Sequence, residues 1–258
     1  MVALGVAVVV AWAVWQSRKG KYSGDDALTA AIIGIPSGII FSKLLHVFDN
    51  IVVAKVHPEL ALSGAVIDYT QFPRLIFNGA GLSIEGAVLG AALGIWIYSR
   101  INRKFRFGIF VDAIAPAIIL AQAIGRVGCT INGCCYGIPS TLPWAIVYTN
   151  INSEAPLGVP VQPTTVYEII YNLIVFGILM SLRGKLKPTG SLFMVYLSFY
   201  AAWRIGIDFI RDGNPFLFNL HQAQVIGIVI LLITIPTMII KTRWVKPEKP
   251  PEPITGAQ

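Results

Sequence analysis

Eight polar or ionisable side chains stand where an apolar chain gives way to its loops: Glu85, Arg126, Asn132, Glu168, Arg204, Asp208, Arg211 and His221. Each lies at the same end of the apolar run it borders. Charged groups in or beside such runs are costly, which points to function. Arg204, Asp208 and Arg211 are spaced four and three residues apart. On a helix they share one face, and the carboxylate can hold two guanidinium groups. Arg126 falls at the same depth. Guanidinium groups gathered in this way suit a phosphate, which they bind in a bidentate manner. At a membrane surface the phosphate at hand is a phospholipid headgroup. The competing reading is structural: an ion-pair network, or arginines that snorkel to the interface. Glu85 is a candidate base, or a charge that favours a helix N-terminus. Glu168 pairs with an arginine or holds the loop before it, and His221 starts a helix at the interface.

The three cysteines all lie in one stretch, Gly125-Arg126-Val127-Gly128-Cys129-Thr130-Ile131-Asn132-Gly133-Cys134-Cys135-Tyr136-Gly137. Four glycines in so short a segment make a poor helix. We read it as an ordered turn carrying a polar site at the membrane surface. An odd number of cysteines gives no disulfide framework. A bond from Cys129 to Cys134 or Cys135 and plain buried packing are the two leading readings of these thiols. The Cys-x4-Cys-Cys spacing, without a nearby histidine, does not match a familiar zinc pattern, and no metal or organic cofactor is expected.

The elements that position these residues are apolar helices. Of the 258 residues, 55% are hydrophobic and only 13% charged, against about 25% charged in soluble domains. Several runs approach the ~20 residues that span a bilayer. The chain is therefore expected to be an all-α polytopic membrane protein of about seven transmembrane helices. The runs are Met1–Trp15, Ala27–Val47, Gly81–Tyr98, Phe107–Ile124, Thr165–Leu182, Gly190–Ile207 and Gln222–Ile240. Asp25 and Asp26 precede the second and could cap it. Gly34, Gly38 and Ser42 in the second run, and Gly86, Gly90 and Gly94 in the third, recur every four residues. That is the small-residue pattern of close helix packing in lipid. Residues 49–78 are expected outside the membrane, and a small external cap is expected over about 126–165. A single bundle over 1–240 is followed by a basic, proline-rich tail, 241–258, expected to be disordered and cytoplasmic.

Most of the 20 Lys and Arg residues fall in four clusters. These are Arg18, Lys19 and Lys21; Arg100, Arg103, Lys104 and Arg106; Arg183, Lys185 and Lys187; and Lys241, Arg243, Lys246 and Lys249. Seven spans with the N-terminus outside and the C-terminus cytoplasmic put all four on one side, as the positive-inside rule requires. The net charge of +7 is thus accounted for by topology. Nucleic-acid binding is not indicated, because no aromatic-interleaved basic patch appears.

Four motifs, spread over roughly residues 24–240, resemble those of the bacterial prolipoprotein diacylglyceryl transferases. Gly125-Arg126-x-Gly128-x-x-x-Asn132-Gly133 resembles that family's signature. Asn78-Gly79-Ala80-Gly81-Leu82-Ser83-Ile84-Glu85-Gly86 is similar to its Gly-Gly-Leu-Ser-x-His-Gly segment. Gln162-Pro163-Thr164-Thr165-Val166-Tyr167-Glu168 is similar to its His-Pro-Ser-Gln-Leu-Tyr-Glu. Tyr200-Ala201-Ala202-Trp203-Arg204 through Asp208-Phe209-Ile210-Arg211 resembles its Tyr-Gly-x-x-Arg-x-x-x-Glu-x-x-Arg. Two family histidines are replaced, by Glu85 and Gln162.

The resemblance implies a seven-span enzyme of the bacterial inner membrane. It implies transfer of a diacylglyceryl group from phosphatidylglycerol to the lipobox cysteine of a prolipoprotein signal peptide, forming a thioether and releasing glycerol phosphate. Carried over by motif, Arg126, Asn132, Gly133, Arg204, Asp208 and Arg211 match headgroup-binding and structural positions. The candidate set is then Glu85, Arg126 and Arg204 for catalysis, with Arg126, Asn132, Gly133, Glu168, Asp208 and Arg211 binding substrate. Two other functions compete: a paralogue with a different thiol or hydroxyl acceptor, and a non-enzymatic lipid-binding or transport protein.

Overall fold

The computed structural model describes residues 1–20, 22–56, 58, 83–211, 216 and 220–245. Among these, seven helices carry nearly all the structure: α1 Val2–Ser17, α2 Gly24–Val56, α3 Ile84–Ile101, α4 Phe107–Asn132, α5 Thr164–Leu182, α6 Ser191–Ile207 and α7 Gln222–Lys241. Five of them (α2, α3, α4, α5 and α7) are long and apolar enough to cross a membrane. The other two are apolar but shorter, with 16 residues in α1 and 17 in α6. Two short antiparallel ladders complete the set, β1 Ile146–Val147 with β2 Pro160–Val161, and β3 Leu186–Lys187 with β4 Arg243–Trp244.

The glycine repeats do what their spacing predicts. Helices α2 and α3 lie backbone to backbone. A Cβ on Gly86 would fall 2.6 Å from the Phe41 carbonyl oxygen, and one on Gly38 would fall 3.0 Å from that of Ala87. Gly90 and Gly94 meet Ser37 and Phe41 in the same seam. Helix α4 is the centre of the remainder and packs on α1, α5 and α6. Its inner face joins two cores. Phe110, Val111 and Ile114 pack with Ala13, Ala27, Ala30 and Ile95. Ala115 and Ile119 pack with Val175, Leu179, Leu192, Val195 and Tyr196.

Three expectations are corrected. Helix α2 runs on to Val56 rather than ending at Val47. Residues 48–56 are mostly apolar and no proline intervenes before Pro58, so nothing stops the helix; only the part of the expected outside segment beyond it, 59–78, lies outside the described residues. The glycine-rich stretch is not a turn throughout. Gly125 to Asn132 is the last part of α4, and the chain turns only at Gly133, whose φ is +69°. Glycine's low helix propensity is outweighed there by contacts that helical geometry alone supplies, described below. The expected cap therefore begins after α4, and its 126–132 portion is helix. Third, the tail starts in an ordered way, since Arg243 and Trp244 pair with Lys187 and Leu186. The tail from residue 246 lies outside the described residues, as do Asn78 to Leu82 of the second motif.

The described members of the four basic clusters fall at one end of the bundle: after α1, between α3 and α4, between α5 and α6, and after α7. The β3–β4 ladder ties two of these loops together. Asp112 of α4 holds the α5–α6 loop again where it enters α6, accepting from the backbone N–H groups of Gly190 (2.7 Å) and Phe193 (2.9 Å). The functional candidates lie at the opposite end.

Candidate functional site

Two ion-pair groups are built at the other end of the bundle from the termini of four helices. In the first, Glu85 is set by its own helix start. Ser83 is the N-cap of α3, its Oγ accepting from the Gly86 N–H (3.3 Å) and donating to Glu85 Oε2 (3.0 Å). The other carboxylate oxygen, Oε1, accepts from the Tyr200 hydroxyl (3.1 Å) and lies 3.5 Å from Arg204 Nε. Asp208 Oδ1 lies 3.2 Å from Arg204 Nη1 and 3.9 Å from Arg211 Nη1. Both guanidinium groups thus reach one carboxylate, but not from one helical face: α6 ends at Ile207, and Arg211 lies beyond it in a bridge to Gly137.

The second group joins α4 to α5. Arg126 Nε pairs with Glu168 Oε1 at 2.8 Å, with both side chains buried. This pair explains why Gly125 to Asn132 stays helical. One turn further on, Thr130 Oγ1 donates to the Arg126 carbonyl and shares a 2.9 Å hydrogen bond with Thr165 Oγ1 of α5. The last turn of α4 is thus fastened to the first turn of α5. The two groups adjoin: the Glu168 charge acts on Arg204, and Arg126 is close enough to feel Tyr200.

Arg204 is the most telling residue in the site. It is 7% exposed and has a carboxylate on either side. Even so, its Nε and Nη1 make no hydrogen bond of acceptable direction among the described residues, and neither does Asp208 Oδ1. The charges are balanced at ion-pair distance while N–H donors stay directed elsewhere. Buried donors are rarely left in that state, and a ligand with anionic oxygens would use them.

The cap over this end runs from Gly133 to Pro163. Its two ends are joined where Gly137 N–H donates to the Gln162 carbonyl (3.0 Å), and it is tied to the segment after α6 where Ile138 N–H donates to the Ile210 carbonyl (3.0 Å). Gly137 bridges to Arg211 there, and a Cβ at Gly137 would lie 2.7 Å from the Ile210 carbonyl oxygen. Only glycine fits. Gln162 accepts from Tyr167 Oη (3.0 Å) and donates to Ser140 (3.2 Å). His221 is the N-cap of α7, with Gln224 Oε1 accepting from its backbone N–H (2.9 Å).

Asn132 is exposed and hydrogen-bonds toward Cys134, while Gly133 is the left-handed end of α4. All three cysteines are free thiols. The Cys129 thiol hydrogen-bonds to Cys135 and draws the Cys135 thiol down from its ordinary range. Burial opposes this, and Arg211 and Arg126 reinforce it.

Two participants were not singled out from the sequence. Tyr200, fully buried, holds Glu85. Its position four residues before Arg204 is the signal that could have marked it. Tyr196, one turn earlier, accepts from Gln122 Nε2 (2.9 Å) and extends that face inward.

A family model for prolipoprotein diacylglyceryl transferase matches residues 1–240. A phosphatidylglycerol–prolipoprotein diacylglyceryl transferase of Dehalococcoides mccartyi is 46% identical over 244 residues, covering 94% of this chain and 88% of its own. The enzyme of the same name from Clostridium tetani is 30% identical, with 91% and 88% covered. That of Leifsonia xyli is 34% identical, with 87% and 71% covered. With a match that runs from α1 to the end of α7, and relatives aligned over most of their length, the chain belongs to the prolipoprotein diacylglyceryl transferase family.

Proposed function

We propose that this protein transfers the diacylglyceryl group of phosphatidylglycerol to the cysteine thiol of a prolipoprotein. The observation that carries the reading is Arg204: a buried guanidinium, charge-balanced by Glu85 and Asp208, with donors that the described residues leave unused. The relatives' names supply the substrates. We assign the phosphate to Arg204, with Arg211 and Arg126 as its neighbours; the shared carboxylate Asp208 and the Arg126–Glu168 pair support that reading.

The reaction is a displacement at carbon. The acceptor sulfur attacks the glyceryl carbon that carries the phosphate ester, a C–S bond forms, and the C–O bond breaks. Glycerol phosphate leaves with the electron pair. The guanidinium groups hold the phosphate before the reaction and stabilise the charge that grows on the leaving oxygen. A lipid phosphate that enters beside Arg204 competes with Glu85 for the same guanidinium. Glu85 is then freed from its ion pair, while Tyr200 and Ser83 keep it in place, and it takes the proton of the incoming thiol. Glu168 keeps Arg126 aligned. The acceptor is a lipobox cysteine presented at the outer face of a bacterial plasma membrane, with the chain's N-terminus on that face and its C-terminus in the cytoplasm. The bundle spans 1–240, and the cap over its outer end restricts access to the guanidinium groups.

The test is reconstitution in vesicles containing phosphatidylglycerol, with a lipobox peptide bearing one cysteine. Mass spectrometry of the peptide reads the gain of one diacylglyceryl group. The gain is expected with the native chain and absent with Arg204→Ala. A peptide left unmodified by folded, lipid-binding native protein would overturn the reading.

A further inference from the structure

The proposed reaction uses none of the three cysteines, yet the fold brings them together. Cys129 lies in the last turn of α4, and Cys134 and Cys135 follow the turn at Gly133. Their sulfur atoms all lie within 4.8 Å of one another. A tetrahedral cation with metal–sulfur bonds of ~2.3 Å holds its thiolates about 3.8 Å apart, so small side-chain adjustments would close the site.

The backbone that achieves this convergence is specialised. Gly133 turns in the left-handed region, and the N–H groups of Gly133 and Cys134 both donate to the Cys129 carbonyl. Cys135 also has positive φ, at +60°, and is the one such non-glycine residue recorded among the described residues. A side chain rarely adopts that region without a local reason. Here the surroundings impose it, since Thr164 Oγ1 donates to the Cys135 carbonyl at 2.7 Å. The chain is thus bent back so that the second and third sulfurs face the first.

We propose that Cys129, Cys134 and Cys135 form a trithiolate site for a soft divalent cation of the zinc type, beside the guanidinium cluster. Three features favour it over bare packing. All three side chains are partly accessible, so an ion can enter. An all-sulfur donor set selects soft cations over magnesium or calcium. Charge also matches. Three thiolates around a divalent ion carry one net negative charge, and Arg126 Nη1 lies 3.8 Å from Cys129 Sγ while Arg211 acts on Cys135. On binding, three S–H bonds give their protons to solvent, three metal–sulfur bonds form, and nothing is oxidised or reduced. Three protein ligands leave a fourth coordination position for an outside ligand. The unfamiliar spacing concealed this from the sequence, because the site depends on the left-handed turns and not on a run of helix or strand.

The test uses the full chain in detergent, reduced and stripped with a chelator, and titrated with Cd²⁺ alone. Neither lipid nor acceptor is present, so the result stands whether or not the transferase reading does. Thiolate-to-metal charge-transfer absorbance is expected to saturate at one ion per chain. Cys129→Ser, Cys134→Ser and Cys135→Ser should each weaken binding by more than about tenfold, since even partners outside the first coordination shell are worth about 10–100-fold. Circular dichroism confirms that these near-isosteric variants fold. The proposal fails if no band grows by one equivalent, if the band survives in the triple serine variant, or if mass spectrometry of the chain purified without reductant finds two of the three sulfurs joined in a disulfide.

Discussion

Arginine serves opposite purposes at the two ends of this bundle. At the basic-loop end the cations are mostly exposed and several rest on aromatic rings: Lys19 Nζ lies 3.7 Å from the centre of Trp15, and the Arg100 guanidinium 4.8 Å from that of Trp96. Arg183 lies farther off, 5.9 Å from Trp12. These side chains run along apolar surface and present charge to water, which is how a cation marks a membrane face. At the other end Arg126 and Arg204 are more than nine-tenths buried, and carboxylates from other helices or other turns hold them. Burial of that kind costs several kcal/mol per ion in the absence of a partner. The same residue type is thus mostly exposed and unpaired with carboxylates at one end among the described residues, and at the other a fixed, desolvated partner of carboxylates. What separates them is whether a carboxylate pairs with the guanidinium: among the described residues, Asp26 and Asp112 at the basic-loop end accept from neutral groups.

Substitutions can break that contrast or sharpen it. The largest effect is expected from Arg204→Ala. On the proposed mechanism it removes donors to the developing charge, each worth about 10²–10³ in rate, and should reduce transfer to background in the vesicle assay. Activity within tenfold of native would place Arg204 with the topological cations. Glu85→Gln keeps the shape but removes the anion paired with Arg204 and, on the proposed mechanism, the base. Transfer should fall by about 10²-fold or more, while phosphatidylglycerol binding, read by co-purified lipid, holds or improves. Loss of lipid binding would make Glu85 a structural anchor for the arginine.

Gly86→Ala tests the frame. A methyl group there meets the Phe41 carbonyl, and overpacking of this kind costs about 1–3 kcal/mol. The melting temperature in detergent should drop, and an unchanged value would mean that the α2–α3 seam yields easily. Arg100→Ala should matter least. An exposed cation–π contact is worth about 0.5–1 kcal/mol, so transfer should stay within about twofold. A large loss of activity would show that the two ends are not separate in function.

Most of the frame was legible in the sequence, because long apolar runs and four-residue glycine spacing are local signals. All seven helices stand where such runs stand. The gathering of Glu85, Arg204, Asp208 and Arg211 was legible too, since topology alone puts them at one end. What the sequence hid depends on contacts between distant residues. Gly125 and Gly128 argue against helix, and the Arg126–Glu168 pair and the Thr130–Thr165 hydrogen bond outweigh them. The β3–β4 ladder joins segments of two residues each, too short to leave a pattern. Tyr200 opens the fourth motif, but its part in the site shows only once Glu85 is seen opposite it. The convergence of three sulfurs rests on two left-handed residues, one of them a cysteine, which no propensity argument would place there.

The seam between α2 and α3 also restricts traffic. Where Gly86 meets Phe41 and Gly38 meets Ala87, the two backbones touch and no acyl chain fits between them. Along that part of the perimeter the protein is a closed wall toward the bilayer. On the proposed reading, a two-tailed lipid bound for Arg204 passes through some other gap between helices, and its diacylglyceryl product leaves by a gap of the same kind.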